Sequence, residues 1–234
     1  MTNPTEGSFY LINKPIRWTS FDVVHKMRRI LKTKKIGHAG TLDPLATGLL
    51  ILCEGKMTKR IESFTGLEKE YTGKFTIGQT TPSYDLETEV SPAVDITHIT
   101  DEQILKAAST FVGTIQQVPP VHSSIWVDGR RAYKRTRSGE ELIMKPREVE
   151  VKEFEITKIE KPFLSFRVVC SKGTYIRSLA KDMGEALGVG AHLSELCRTA
   201  IGEFKLKDAE TFEEIKNRIT LSKAKPAADS NDTL

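Results

Sequence analysis

One carboxylate stands among glycines, small hydroxyl residues and aliphatic residues in the segment GHAGTLDPLATGLL, residues 37–50. Asp43 could start a helix, because aspartate caps a first turn well and the proline that follows it fits the first helical position. Gly37, Gly40 and Gly48 favour a second interpretation, since glycine permits unusual backbone dihedral angles and the close approach of a ligand. Asp43 is therefore either a helix cap or a reacting group.

Three basic clusters stand out in a chain whose net charge is only +4. Residues 130–137 read RRAYKRTR, with Trp126 and Tyr133 close by, and the other clusters are KTKK at 32–35 and KMTKR at 56–60. Each cluster alone is typical of a solvated surface. Together, and with aromatic residues in one of them, they favour a surface that follows phosphates and stacks on the bases of an RNA loop.

The cysteines and histidines argue against a disulfide framework and a metal centre. Cys53, Cys170 and Cys197 are far apart and form no CxxC pair, which is typical of buried thiols in a reducing compartment. The five histidines have neither HxxxH nor cysteine–histidine ligand spacing, and we expect no metal and no organic cofactor. The N-terminus lacks a signal-peptide pattern and the longest apolar run, LLILC, is too short for a membrane span, so we expect a cytoplasmic protein.

Three helices can be located from capping residues and apolar periodicity. Ser20 precedes an amphipathic stretch over about 21–32, and Thr100 forms a capping box with Gln103 before a second helix. The third helix follows the strand FLSFRVVC and the turn SKG, which places Arg177 in its first turn.

Strands are indicated where apolar residues alternate. In EYTGKFTIG, Tyr71, Phe75 and Ile77 share one face, and FLSFRVVC alternates in the same way. REVEVKEFEI alternates too, but its phase slips between Val151 and Phe154, which predicts a bulge or a break. The dipeptide DG in IWVDGRRAY predicts a hairpin. Helices and strands follow one another without a regular βαβ rhythm, so we predict an α+β fold with a mixed, largely antiparallel central sheet flanked by helices.

The segment GHAGTLDPLATGLL resembles the signature of the TruB family of tRNA pseudouridine synthases. The resemblance continues, in the family's order, through LINKPIRWTS, EYTGKFTIGQTT, QVPPVHSSIWVDGRRAYKRTRSGE and SKGTYIRSLAKDMGEALGVGAHLSELCRT, and these blocks cover most of residues 9–200. It implies the pseudouridine synthase fold and an isomerase that converts uridine 55 in the T-loop of tRNA to pseudouridine by base flipping. We expect a monomer that binds the T-loop and stem of tRNA and needs no cofactor.

The resemblance gives roles to three residues of the predicted site. Asp43 would be the nucleophile in cleavage and re-formation of the glycosidic bond, and Arg177 would lie against it, because a guanidinium within ~4–6 Å favours the ionised form of a carboxylate. Tyr71 would stack on the target base and accept its C5 proton. Without the resemblance, Arg177 would be a surface residue in a weak ion pair and Tyr71 a core aromatic residue.

Further substrate-binding residues follow from the resemblance. His38 matches the histidine that inserts into the T-loop, while Lys14 and Tyr175 match positions that line the active site. Asp85 matches an aspartate that binds substrate, although its segment, TTPSYDLET, departs from the family's TDT followed by glycine. The predicted RNA contacts of the basic cluster are Arg130, Arg131 and Lys134.

We expect one catalytic domain over residues 1–220, with an RNA-contacting insertion at about 119–147, and a disordered tail over 221–234. Longer family members carry a C-terminal RNA-binding module of the PUA type, for which too few residues follow GEFKLKDAE, so we expect a short form. Two alternatives remain open: a guide-RNA-dependent synthase of the box H/ACA type, and a non-catalytic protein that binds and folds tRNA. A glycosidase is disfavoured because no second acid lies in a comparable motif.

Overall fold

The computed structural model describes residues 7–123 and 125–224. Its helices and strands, in chain order, are β1 (Phe9–Lys14), α1 (Ser20–Leu31), β2 (Ile36–Ala39), β3 (Thr47–Glu54), α2 (Ile61–Gly66), β4 (Lys69–Ile77), α3 (Asp101–Ser109), β5 (Gly113–Gln117), β6 (Trp126–Val127), β7 (Arg130–Arg131), α4 (Ala132–Arg137), β8 (Arg147–Glu160), β9 (Phe163–Cys170), α5 (Ile176–Ala186), β10 (Ala191–Ile201), β11 (Phe204–Lys205) and α6 (Phe212–Ala224). No helix in this part of the chain has the length and apolar character that a membrane span requires.

The described residues form two compact units. One catalytic domain over 1–220 stays a prediction. Of the described residues, the first unit contains 7–65 and 204–224, and the second contains 66–123 and 125–203. The segment predicted to be a tail, from 221, begins within α6, which continues to Ala224. Ile215 on this helix is fully buried and Ile219 packs against the same core, which holds the helix in place. The rest of the predicted tail, 225–234, lies outside the described residues.

The first unit is built on a small antiparallel sheet. β3 pairs with β1, where Phe9 lies opposite Cys53, and with β2, where Ile36 lies opposite Glu54. Alternate residues of β1 face the core, and Val23, Val24 and Met27 place one side of α1 against them. The core residues of this unit are Tyr10, Ile12, Val23, Val24, Met27, Ile36, Leu50, Leu52 and Ile215.

Helix α1 begins one residue earlier than predicted. Its cap is Thr19, whose hydroxyl accepts a hydrogen bond from the amide of Asp22, while the Asp22 carboxylate accepts one from the amide of Thr19. Hydrogen bonds that the hydroxyl and the amide of Thr19 donate to the Asp22 carboxylate lower its pKa below the usual value. Ser20, predicted to be the cap, is the first residue of the helix, and its hydroxyl is used elsewhere, in the candidate site.

The second unit contains a five-stranded antiparallel sheet in the order β10, β4, β9, β8, β5. Its core includes stacked rings of Phe75 and Phe166, whose centroids lie 4.1 Å apart, with Phe154 edge-on to Phe75 at 6.1 Å. The predicted bulge in β8 is confirmed, because the register with β9 shifts between Val151 and Glu153. The predicted α+β fold class with a largely antiparallel sheet is confirmed.

The predicted helices of the second unit are confirmed. Thr100 and Gln103 form the capping box of α3. α5 starts at Ile176, a short turn after β9, and places Arg177 in its first turn. Since α5 packs against β10, the start of this helix is fixed relative to the sheet.

Candidate active site

Asp43 lies in a tight turn and not in the helix that its sequence would also allow. The amide of Ala46 donates to the carbonyl of Asp43 over 3.1 Å, and β3 begins at the next residue, Thr47. The Asp43 side chain is half-buried. The structure therefore removes the helix-cap interpretation and leaves a carboxylate on a short turn that leads into a buried strand.

Two of the three glycines around this turn have the unusual backbone dihedral angles that the sequence indicated. Gly40 has φ 88° and Gly48 has φ 105°, conformations that other residues rarely adopt. Gly37 lies within β2, where an added Cβ would come within 2.9 Å of the Ile61 side chain. Together they allow the chain to enter the Asp43 turn from β2 and to leave it into β3.

The Asp43 turn is held by residues of β1 and α1. The ammonium of Lys14 is fully buried and donates to the carbonyls of Pro15 at 2.9 Å, Trp18 at 2.6 Å and Pro44 at 3.3 Å. The hydroxyl of Ser20 donates to the Leu42 carbonyl at 3.3 Å and accepts from the Leu42 amide at 2.9 Å. Lys14, predicted to bind substrate, thus uses these hydrogen bonds to fix the backbone beside Asp43.

Tyr71 is a buried residue of β4 in the second unit, with 9% of its surface exposed. It lies directly opposite Arg198 on β10 and Val168 on β9. Arg198 is fully buried, and Lys69, two residues before Tyr71, is also buried. Desolvation and the nearby Arg198 lower the pKa of Lys69 to about 8. The strand position predicted to contact the base is therefore next to two buried basic residues.

Arg177 is a buried residue rather than the surface residue that its helix alone would suggest. Its Nη1 donates to the Ser83 carbonyl at 3.3 Å and its Nη2 to the His122 carbonyl at 3.0 Å. Its Nε lies 3.6 Å from Oδ2 of Asp85, and the two side chains are 3% and 5% exposed. Sequence reasoning missed Ser83 and His122, because they contribute backbone carbonyls, which leave no sequence signal.

Asp85 is placed by its own turn to face Arg177. Its Oδ1 accepts a hydrogen bond from the Glu87 amide at 3.0 Å, and its carbonyl accepts from the hydroxyls of Thr81 at 2.7 Å and Ser83 at 3.1 Å. A buried carboxylate needs a partner of this kind, because an isolated buried charge is strongly unfavourable. The altered segment TTPSYDLET thus keeps Asp85 within the predicted site, beside Arg177.

Tyr175 precedes α5 and is held by a buried glutamine that the sequence did not reveal. Gln117 accepts from the Tyr175 amide at 2.7 Å and donates to the Tyr175 carbonyl at 3.1 Å. The guanidinium of Arg147 lies 4.7 Å from the centroid of the tyrosine ring, within cation–π range. Gln117 and Arg147 therefore orient Tyr175 two residues before Arg177.

The predicted basic hairpin is present and partly neutralised by its own acids. β6 pairs with β7 through Asp128 and Gly129, both with positive φ. The guanidinium of Arg131 lies 4.6 Å from the centroid of the Trp126 ring, and Arg130 pairs with Glu140 at 3.0 Å. Exposed side chains here include Trp126, Arg130 and Lys134. The hairpin presents stacked and charged groups together, which suits RNA.

The two other basic clusters lie next to each other in the first unit. The amide of Gly55 donates to the Lys35 carbonyl at 2.8 Å, which joins residues 32–35 to the 3₁₀ turn Gly55–Arg60. His38 follows on β2, half-buried, opposite Leu52 on β3. This hydrogen bond therefore brings together two basic clusters that are separate in the sequence.

The predicted site residues are divided between the two units. The first unit contains Lys14, His38 and Asp43, and the second contains the remaining predicted residues, Tyr71, Asp85, Arg130, Arg131, Lys134, Tyr175 and Arg177. Across 7–123 and 125–224, no three His, Cys, Asp or Glu side chains are grouped so that they could hold a metal ion. The pairing of Asp43 with Arg177 stays a prediction.

Comparison with known proteins identifies close relatives over almost the whole chain. The model of the N-terminal domain of the TruB family pseudouridylate synthases matches residues 28–176, and that of the tRNA pseudouridylate synthase B C-terminal domain matches residues 177–233. The chain is 51% identical to tRNA pseudouridine synthase B of Flavobacterium johnsoniae over 211 residues, which are 87% of this chain and 92% of that protein. It is 52% identical to the enzyme of the same name from Parabacteroides distasonis over 215 residues, 89% of this chain and 92% of that protein.

Solved structures show the same fold. The chain matches a protein in the crystal structure of a Cbf5–Nop10–Gar1 complex with a TM-score of 0.73 and 30% identity, covering 94% of this chain and 56% of the other. It matches a chain of an H/ACA ribonucleoprotein bound to a substrate RNA containing 2′-deoxyuridine with a TM-score of 0.68 and 28% identity, covering 95% of this chain and 61% of the other. This chain thus spans little more than half the length of those proteins. The family models and the relatives show that the chain belongs to the TruB family of tRNA pseudouridine synthases, which confirms the predicted family, fold and class of enzyme.

Proposed function

We propose that this protein converts uridine 55 in the T-loop of tRNA to pseudouridine, with Asp43 as the nucleophile. The observation that carries the proposal is the Asp43 turn, held by Lys14 and Ser20, within a chain about half of whose residues are identical to those of tRNA pseudouridine synthase B. A turn fixed by buried hydrogen bonds meets the need of catalysis for a reacting group in one orientation.

The reaction is an isomerisation, so the elemental composition of uridine does not change. The N1–C1′ bond breaks, the uracil turns, and C5 joins C1′, while the proton on C5 leaves and N1 gains one. A carboxylate can form the covalent intermediate that divides this change into two steps. Asp43 is suited to attack at either C1′ or C6, and Tyr71 is proposed to accept the proton from C5.

Arg177 is proposed to favour the ionised form of Asp43. Its guanidinium is held in one orientation by two carbonyls and by Asp85, so little side-chain entropy remains to be lost when substrate binds. Lys14 is assigned a positioning role for the same turn, and Asp85 a positioning role for Arg177.

RNA binding is proposed for surfaces on both units. His38 would contact the T-loop, and Tyr71 would stack on the flipped base, an interaction worth ~1–3 kcal/mol per base, comparable to the few kcal/mol needed to unstack a nucleotide. Tyr175 would line the site. Arg130, Arg131 and Lys134 in the hairpin would contact the RNA backbone, as would the basic clusters at residues 32–35 and 56–60.

The guide-RNA-dependent alternative is less well supported. The structures of H/ACA type are 30% and 28% identical to this chain, whereas the relatives named tRNA pseudouridine synthase B are 51% and 52% identical. A stand-alone enzyme that recognises tRNA itself is the better candidate. We infer a cytoplasmic monomer without a cofactor.

The test is tritium release from a tRNA transcript that carries C5-tritiated uridine, without any guide RNA. The unmodified protein should release tritium from the transcript that has uridine at position 55. With cytidine at position 55, none should be released from that position. The variant Asp43→Asn should release none while still binding the transcript. Asp208→Asn changes an exposed aspartate of the same unit and should match the unmodified protein. Full release by Asp43→Asn, or release only when a guide RNA is added, would contradict the proposal.

A further inference from the structure

Arg17 adopts a backbone conformation that its side chain disfavours. It lies between β1 and α1 with φ 64°. This is the left-handed region, which glycine adopts readily and most other residues adopt only with strain. An arginine adds nothing to a turn of this kind, since glycine would form the turn more readily. The backbone of the turn therefore does not account for an arginine at this position.

The backbone of Arg17 is attached to the Asp43 turn. Its amide donates to the Pro44 carbonyl at 2.7 Å, the same oxygen that receives the Lys14 ammonium at 3.3 Å. Ser20, three residues further along, binds both backbone groups of Leu42. The segment that carries Arg17 is therefore hydrogen-bonded to the residues on both sides of Asp43. These bonds fix the backbone of Arg17 beside the candidate nucleophile.

The guanidinium of Arg17 is available for a ligand. The residue is exposed, and among the described residues its only hydrogen bond is the one made by its backbone amide. The acid at the start of α1, Asp22, accepts hydrogen bonds from the amide and hydroxyl of Thr19 instead. A free guanidinium on an anchored backbone binds phosphate well, because its planar donors match two phosphate oxygens at once.

We propose that Arg17 binds a backbone phosphate of the RNA next to the target nucleotide, and so helps to place the sugar against Asp43. The inference rests on the proposed function, which brings a polyanion to this turn. The phosphates that flank the target are bonded to the same ribose whose C1′ reacts. A cation that holds one of them fixes the distance between that sugar and the carboxylate.

The decisive variant is Arg17→Gly, which removes the guanidinium, keeps the amide that binds Pro44 and suits the left-handed backbone. We expect its melting temperature to equal or exceed that of the unmodified protein. Its KM for a tRNA transcript should rise roughly tenfold, and its kcat should fall by more than about twofold because the sugar is placed less well against Asp43. The slope of log K against log salt should fall by about one unit, as for the loss of one phosphate contact. Arg17→Lys should recover part of the affinity.

Lys106→Ala is the control, since it removes one exposed positive charge from α3 and should leave KM and the salt slope unchanged. The inference is overturned if Arg17→Gly keeps the original KM and salt slope, or if Lys106→Ala weakens binding as much. A lower melting temperature without a change in salt slope would show a structural role instead. These outcomes are separate from failure of the proposed function, in which the unmodified protein would release no tritium.

Discussion

The buried pair of Asp85 and Arg177 gives the sharpest test of how the site is assembled. The variant Asp85→Asn removes one negative charge and keeps an oxygen that can accept from the Glu87 amide, as Oδ1 now does at 3.0 Å. The turn around residue 85 should therefore survive. The change isolates the charge facing Nε of Arg177, 3.6 Å away.

The expected loss in free energy of unfolding is about 3 kcal/mol. Removing one partner of a buried ion pair costs ~3–5 kcal/mol, because the remaining buried charge loses a group that compensates it. The value should lie at the lower end, since Arg177 keeps its hydrogen bonds to the carbonyls of Ser83 and His122. Under the proposed function, the single-turnover rate should also fall at least about tenfold, with little change in RNA affinity.

The assay is urea unfolding followed by single-turnover tritium release. Glu195→Gln is the matched control, since it removes a carboxylate charge from an exposed pair with Lys74, where the side chains are 60% and 39% exposed. Such a surface pair is worth ~0–1 kcal/mol. If Asp85→Asn and Glu195→Gln lose the same small amount of stability, or if Asp85→Asn reacts at the original rate, the account of Arg177 positioning is wrong.

Three other changes test separate parts of the structure. Lys14→Met should lower kcat by a larger factor than it raises KM, because it removes the hydrogen bonds that hold the backbone of the Asp43 turn. Lys14→Arg should not restore kcat if the buried site fits only an ammonium group. The pKa of Lys69 is about 8 in the folded state and 10.5 when the side chain is exposed. Between these two pH values the unfolded chain binds more protons than the folded chain. The free energy of unfolding should therefore rise with pH over this window, by up to about 3 kcal/mol. Lys69→Met should abolish that rise in pH-dependent urea unfolding. Replacing Arg130, Arg131 and Lys134 with neutral residues should weaken tRNA binding. The slope of log K against log salt should fall by about two units, since Arg130 is already ion-paired. An unchanged slope would show that this hairpin does not bind RNA.

Features decided by neighbouring residues were predicted well. The capping box of Thr100 and Gln103, the DG hairpin and the bulge after Val151 all depend on residues a few positions apart, and all three are present. The cap of α1 was misplaced by one residue because Thr19 and Ser20 are both good caps, and only Thr19 has an acid three residues later to complete the box.

The sequence by itself determined the family, the α+β class, the helices α1, α3 and α5, the strands β4, β8 and β9, and the choice of Asp43 as the residue to test. Only the tertiary structure decided that Asp43 lies in a turn, that Lys14 binds the Pro44 carbonyl 30 residues away, and that Arg177 is buried against a carbonyl 94 residues away. The physical reason is that these contacts use backbone carbonyls, which every residue has. Their selection depends on which segments pack together, and no local pattern in the sequence records it.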